Sequence, residues 1–176
     1  MHASPVKNMV FTAVCCALCV VLPVAFHSIQ NAGSVFLPIH IPVLLCGLVC
    51  GWPYGLTCGF LGPLLSSLVT QMPPLGMAPA MMIECGLYGG VAGLLMQLIR
   101  SKNTVVDLYI CMILSMIVGR VLAGITRALI FTPGLDPIGW VVSSVITGIP
   151  GICIQLVLIP LLYMTLVRAK LIPRKY

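Results

Sequence analysis

Residues 37–75, LPIHIPVLLCGLVCGWPYGLTCGFLGPLLSSLVTQMPPL, hold two apolar, glycine-rich runs between proline-bounded turns and contain no Lys, Arg, Asp or Glu. Water would have to solvate such a run, whereas a bilayer accepts it as two helices whose glycines permit close approach. The same alternation of long apolar runs with short polar breaks continues in both directions. It predicts six membrane helices, over about residues 8–27, 37–51, 55–70, 77–99, 105–131 and 138–167. The runs are continuous and lack a period of two, so the fold class is an all-α integral membrane protein and not a barrel. Prolines and glycines predict the irregularities. Pro23 marks a kink, Pro38 and Pro42 an uneven start to the second helix, residues 51–54 a tight turn, Gly62-Pro63 a break, and residues 71–75 a stiff loop.

Composition agrees with this pattern. The chain is 60% hydrophobic and 7% charged over 176 residues, with a mean hydropathy of +1.17, whereas water-soluble domains carry about 25% charged residues. One six-helix domain over residues 1–176 is expected. The net charge of +6 does not read as a nucleic-acid patch, because Lys7, Arg100, Lys102, Arg168, Lys170, Arg174 and Lys175 all sit at segment ends or in short loops. The opposite loops, around residues 28–36, 70–76 and 132–137, contain no Lys or Arg and one acid, Asp136. The positive-inside rule then places both termini in the cytoplasm. The basic start resembles a signal peptide, but no small-residue cleavage site follows, so the first run is taken as a transmembrane helix.

The nine cysteines all lie within apolar segments, without zinc-site spacing, and are expected to pack as small hydrophobes. Neither a catalytic elbow, a phosphate loop nor a pair of catalytic carboxylates is present, so no enzyme is expected and no cofactor or metal. Asp107 stands near a cytoplasmic helix start, where it favours the helix dipole.

Besides Asp107 at its helix start, three charges fall within the spans: Glu84, Arg120 and Arg127. Each costs at least ~2.5 kcal/mol at membrane depth and is expected to face the bundle interior. Arg120 and Arg127 are seven residues apart, on one helix face, with Ala123 and Gly124 leaving that face open. Glu84 falls between them in depth and can pair with either. Two readings stand. The three form a packing clamp with Arg127 reaching for the interface, or one guanidinium is left to receive an anionic group of a solute. His40 at an outer helix end, Gln71 and Met72 at an outer loop, and the aromatics Tyr88 and Trp140 are further candidates for a ligand site. Gln155, deep in the last span, is expected to hydrogen-bond within the bundle.

Six spans in under 200 residues, Ala13-x-x-x-Ala17, LPIHIPVLLCGLVCGWPYG, PLLSSLVTQMPPL and MMIECGLYGG together resemble the substrate-binding S-components of energy-coupling factor (ECF) vitamin transporters. The resemblance implies a prokaryotic plasma-membrane subunit that captures a vitamin or related micronutrient at its outer face, under loops here at residues 28–36 and 70–75. It implies that Ala13 and Ala17 meet a transmembrane coupling subunit, and that two cytoplasmic ATPases drive the subunit to topple and carry its ligand inward. ATP would then be used by the partners alone. The excess positive charge favours pantothenate, with pyridoxine, a thiamine-precursor pyrimidine and folate open. A ligand-free structural membrane subunit and a cysteine-dependent membrane redox protein are the competing readings.

Overall fold

The computed structural model describes residues 4–25, 32–132, 134 and 136–172. Its helices are α1 (Pro5–Ala25), α2 (Ala32–Phe36), α3 (His40–Cys50), α4 (Trp52–Thr70), α5 (Ala78–Leu98), α6 (Thr104–Thr126) and α7 (Pro137–Arg168), and α6 runs on into a π-helical turn over Arg127–Phe131. Five segments are long and apolar enough to cross a membrane: Pro5–Ala25, Gly33–Cys50, Ala78–Leu98, Thr104–Phe131 and Pro137–Arg168. The sixth, α4, has 19 residues and no charged side chain, but its glycines, prolines, serines and threonines dilute its hydropathy. The all-α membrane architecture follows, with the second span assembled from α2, a turn and α3.

Several boundaries differ from those read off the sequence. The stretch expected as a link contains the short α2, and residues 26–31 lie outside the described part. The turn expected over residues 51–54 contracts to Gly51, whose φ of +93° only glycine adopts freely, so α4 starts at Trp52. Pro63 does not break α4, and α7 runs unbroken through Pro150 and Pro160. The helix resumes on both sides of each proline despite the missing amide donor, as membrane bundles allow.

Close contact between α3, α4 and α5 depends on glycine. A β-carbon at Gly47 or Gly55 would meet the Gly89 carbonyl, one at Gly59 the Cys85 carbonyl, and one at Gly93 the Trp52 amide. Backbone therefore touches backbone along the seam, where dispersion and not water expulsion holds helices together. The core divides in two. One part gathers Leu44, Tyr88, Leu108, Met112, Ile159 and Tyr163. The other is rich in thiols, from Cys15, Cys16 and Cys19 across to Cys46, Cys50, Cys58 and Cys85. All nine cysteines are free and eight of them are buried. At the start of α6, Asn103 caps the Val105 amide at 3.1 Å, and the buried Asp107 accepts from the Ser101 amide at 2.9 Å. The acid thus secures the loop as well as the helix end.

Candidate functional site

Successive spans run antiparallel, so the ends of α1, α4 and α6 meet the beginnings of α3, α5 and α7 at one end of the bundle. These ends enclose a cavity of about 550 Å³. It lies opposite the basic loops, on the face that the charge asymmetry assigns to the outside. Its wall from α5 carries Met77, Met81 and Glu84, which helical spacing brings to one face. Tyr88 continues that face downward into the core.

The upper wall is polar. Glu84 lies 3.7 Å from His40 through Oε1 and Nε2, and 3.7 Å from Arg127 through Oε2 and Nη2. The Arg127 guanidinium also rests 4.8 Å from the centre of the Trp140 ring, a stacking that suits its planar, weakly hydrated cation. Arg127 therefore turns inward and does not extend to the interface. It begins the π-helical turn, closed by the Thr132 amide donating to the Arg127 carbonyl at 2.8 Å, a local geometry common at functional sites. His40, 2% exposed, sets its ring edge-on to Tyr88 at 5.0 Å.

Arg120 is placed differently. It is 4% exposed, lines the cavity, and has no ion pair within 4.0 Å among the described residues, where the carboxylate of Glu84 is committed to His40 and Arg127. Its Nε has no hydrogen-bond partner, a state it shares with Arg127 Nε, His40 Nδ1 and the Tyr88 hydroxyl, so the missing ion pair is what sets it apart. A β-carbon on Gly148 would lie 3.0 Å from Arg120 Nη2, so the guanidinium occupies space that glycine leaves against α7. Two guanidiniums face one carboxylate, which leaves one excess positive charge in the cavity wall, and Arg120 is the guanidinium that stands beyond ion-pair distance. An unpaired buried charge costs several kcal/mol, roughly, unless something neutralises it.

The open face expected at Ala123 and Gly124 is filled by α7. A β-carbon on Gly124 would lie 2.7 Å from Val141 Cγ2 and 3.1 Å from the Pro137 carbonyl. This contact seats the start of α7, which Asp136 caps through the Ile138 amide at 3.1 Å and the Gly139 amide at 2.9 Å. Trp140 is thereby aimed at Arg127.

Two loops line the cavity mouth. After α4, Ser66 and Ser67 donate to the carbonyls of Met72 at 2.5 Å and Pro73 at 2.7 Å, which pins Met72, Pro73 and Pro74 against the cavity they line. The Met72–Pro73 peptide is cis. Before α3, Leu37 has a φ of +51°, a region unfavourable to a branched side chain. Its carbonyl accepts from the His40 amide at 3.1 Å and from Gln155 Nε2 at 3.4 Å, so Gln155 does bond within the bundle. A β-carbon on Gly151 would lie 2.7 Å from the Val35 carbonyl, so that glycine gives α2 its seat on α7.

Of the candidates from sequence, Glu84, Arg120, Arg127, His40, Met72 and Trp140 line this one cavity. Gln71 does not; it is the exposed, left-handed cap that ends α4, with a φ of +57°. Nor does Tyr88, which is 1% exposed and underlies the site by packing on His40. Ala13 and Ala17 stand elsewhere, exposed on the outer face of α1. Sequence reasoning missed Ser143, Ser144 and Thr147, which also line the cavity. Their signal was available as hydroxyls spaced along one helix face just after Trp140. Among the described residues, no group of three or more His, Cys, Asp and Glu side chains is arranged to hold a metal ion.

No curated protein and no solved structure matches the chain. The family described as "ECF transporter, substrate-specific component" matches it over residues 7–163. With that match covering most of the sequence, the chain belongs to the substrate-specific components of ECF transporters.

Proposed function

We propose that this S-component captures a carboxylate-bearing vitamin, with pantothenate the first choice, in the outer cavity and delivers it inward by toppling. Arg120 carries this reading. A buried guanidinium with no carboxylate within 4.0 Å among the described residues, in a cavity of small-molecule size, is the complement of a carboxylate, which it grips through two parallel hydrogen bonds. Glu84 and His40 hold Arg127 aside on Trp140, so one net positive charge remains for the ligand. A structural subunit without a ligand would have no use for that charge. Membership of the family gives the partners in outline, an energy-coupling module and a small-molecule substrate. The finer assignment is that two ATPases consume the ATP in the plasma membrane of a prokaryote, with no cofactor bound by this chain.

Ala13 and Ala17 give the proposed contact with the transmembrane coupling subunit. They lie one turn apart on α1 beside Val10 and Val14, which are 59% and 54% exposed. This is a small-residue step that admits another helix closely. Ala13→Trp is expected to abolish co-purification with the coupling subunit while leaving ligand affinity unchanged. Intact co-purification would move the interface to another helix.

The substrate is tested by melting the purified protein in detergent with pantothenate, pyridoxine, the thiamine-precursor pyrimidine or folate. Binding to the folded state alone raises stability by about 2.7 kcal/mol at a ligand concentration 100 times Kd. Pantothenate is expected to raise the melting temperature by several degrees. A shift with pyridoxine or the pyrimidine alone would overturn the carboxylate assignment.

A further inference from the structure

The first turns of α7 carry Trp140, Ser143, Ser144 and Thr147 into the cavity. In an apolar helix a hydroxyl ordinarily satisfies itself on a carbonyl one turn back. Thr12 does so on Asn8 at 2.7 Å, Thr57 on Pro53 at 2.8 Å, Ser115 on Met112 at 2.9 Å and Ser144 on Val141 at 2.9 Å. Ser143 and Thr147 do not. Their hydroxyls have no hydrogen bond among the described residues, and both side chains are exposed to the space they line.

These hydroxyls are four residues apart, so they rise along one face with about 6 Å between them. The residue after Thr147 is Gly148, against which the buried Arg120 guanidinium sits, without an ion pair among the described residues. At the upper end, Trp140 carries Arg127. From floor to mouth, α7 and its neighbour therefore present a cation, two free hydroxyls and an aromatic ring. Gly148 and Trp140 are eight residues apart, about 12 Å along the helix axis.

We infer that Thr147 and Ser143 determine specificity by reading neutral hydrogen-bonding groups on the ligand, which stands along α7 with its carboxylate down on Arg120. The ligand class is an elongated monoanionic acid with an amide or hydroxyl group in its middle, reaching up beneath Trp140 and Met72. A hydroxyl both donates and accepts, so it serves either group. An acid without them would leave two cavity hydroxyls stripped of water and unpaired, which is how polar sites reject apolar analogues. The inference rests on the carboxylate reading of Arg120 and adds the ligand's orientation and its middle.

Calorimetric titration tests it with four carboxylate vitamins: pantothenate, nicotinate, biotin and folate. The acid that the wild type binds best is then titrated into Ser143→Ala, Thr147→Val, the double variant and Thr147→Ser. Each single loss of a hydroxyl is expected to weaken binding by about 3- to 10-fold and the double loss by up to about 100-fold. Thr147→Ser is expected to retain affinity, and all variants the melting temperature of the empty wild type. Nicotinate, which has no hydroxyl or amide to offer, is expected to bind poorly to the wild type. A double variant that bound the preferred acid as tightly as wild type, or a wild-type preference for nicotinate, would overturn the hydroxyl inference and leave the anion site standing. A wild type that bound none of the four would overturn both.

Discussion

Arg120→Ala is expected to abolish high-affinity ligand binding while leaving the empty protein at least as stable as before. The two halves of this result come from one fact, that the guanidinium is buried with an unpartnered Nε and without an ion pair among the described residues. In the bound state, truncating one member of a buried, hydrogen-bonded charge pair costs about 2–5 kcal/mol, or roughly 30- to 5,000-fold in Kd. In the empty state the same truncation removes an uncompensated charge from a low-dielectric site, a change that is neutral or stabilising. Arg120→Lys keeps the charge and loses the two-pronged geometry, so its affinity is expected to fall between the two. Titration calorimetry and melting of the empty variants read both halves. A large drop in the melting temperature with binding retained would identify Arg120 as a structural clamp instead.

Gly55→Val is expected to have the largest effect on folding. A β-carbon there would meet the Gly89 carbonyl and lie 2.6 Å from Gly47 Cα. These are main-chain atoms of two other helices, which cannot swing aside as a flexible side chain does. Overpacking a well-filled site costs about 1–3 kcal/mol where side chains can adjust, and here α3, α4 and α5 would all have to separate. The expected result is loss of monodisperse protein on size-exclusion chromatography. Gly76→Ala, at a position with nothing within 4 Å, is expected to behave as wild type. Equal behaviour of the two variants would mean that the seam is looser than its geometry implies.

The six spans were legible because a bilayer demands continuous apolar length, and that demand is written into local sequence. The inward placement of Glu84, Arg120 and Arg127 was legible for the same reason, since lipid tolerates no bare charge. Which arginine Glu84 would meet was not. Depth along the helices put Glu84 between the two, and the choice is made by the π-helical turn that starts at Arg127 and by Trp140 arriving from α7. Both depend on contacts far apart in the chain. Pro63 misled because a proline removes one amide donor without having to end a helix, and α4, packed between α1, α3 and α5, continues through it. Gln71 read as a cavity residue from its position in a polar loop, but its backbone turns left-handed and its side chain faces out. Tyr88 shares a face with Glu84, yet one further turn carries it below the cavity floor into the core. The spacing of the α7 hydroxyls could be read from the sequence, but which of them stay free could not, because serine and threonine look alike whether they bond their own helix or face a ligand.

The most direct test of the central claim, that the outer cavity holds a carboxylate on Arg120, is mass spectrometry of small molecules released by denaturing freshly purified protein, wild type beside Arg120→Ala. The expected result is one stoichiometric anionic vitamin from the wild type and none from the variant. A neutral or cationic compound released equally from both proteins would contradict the account.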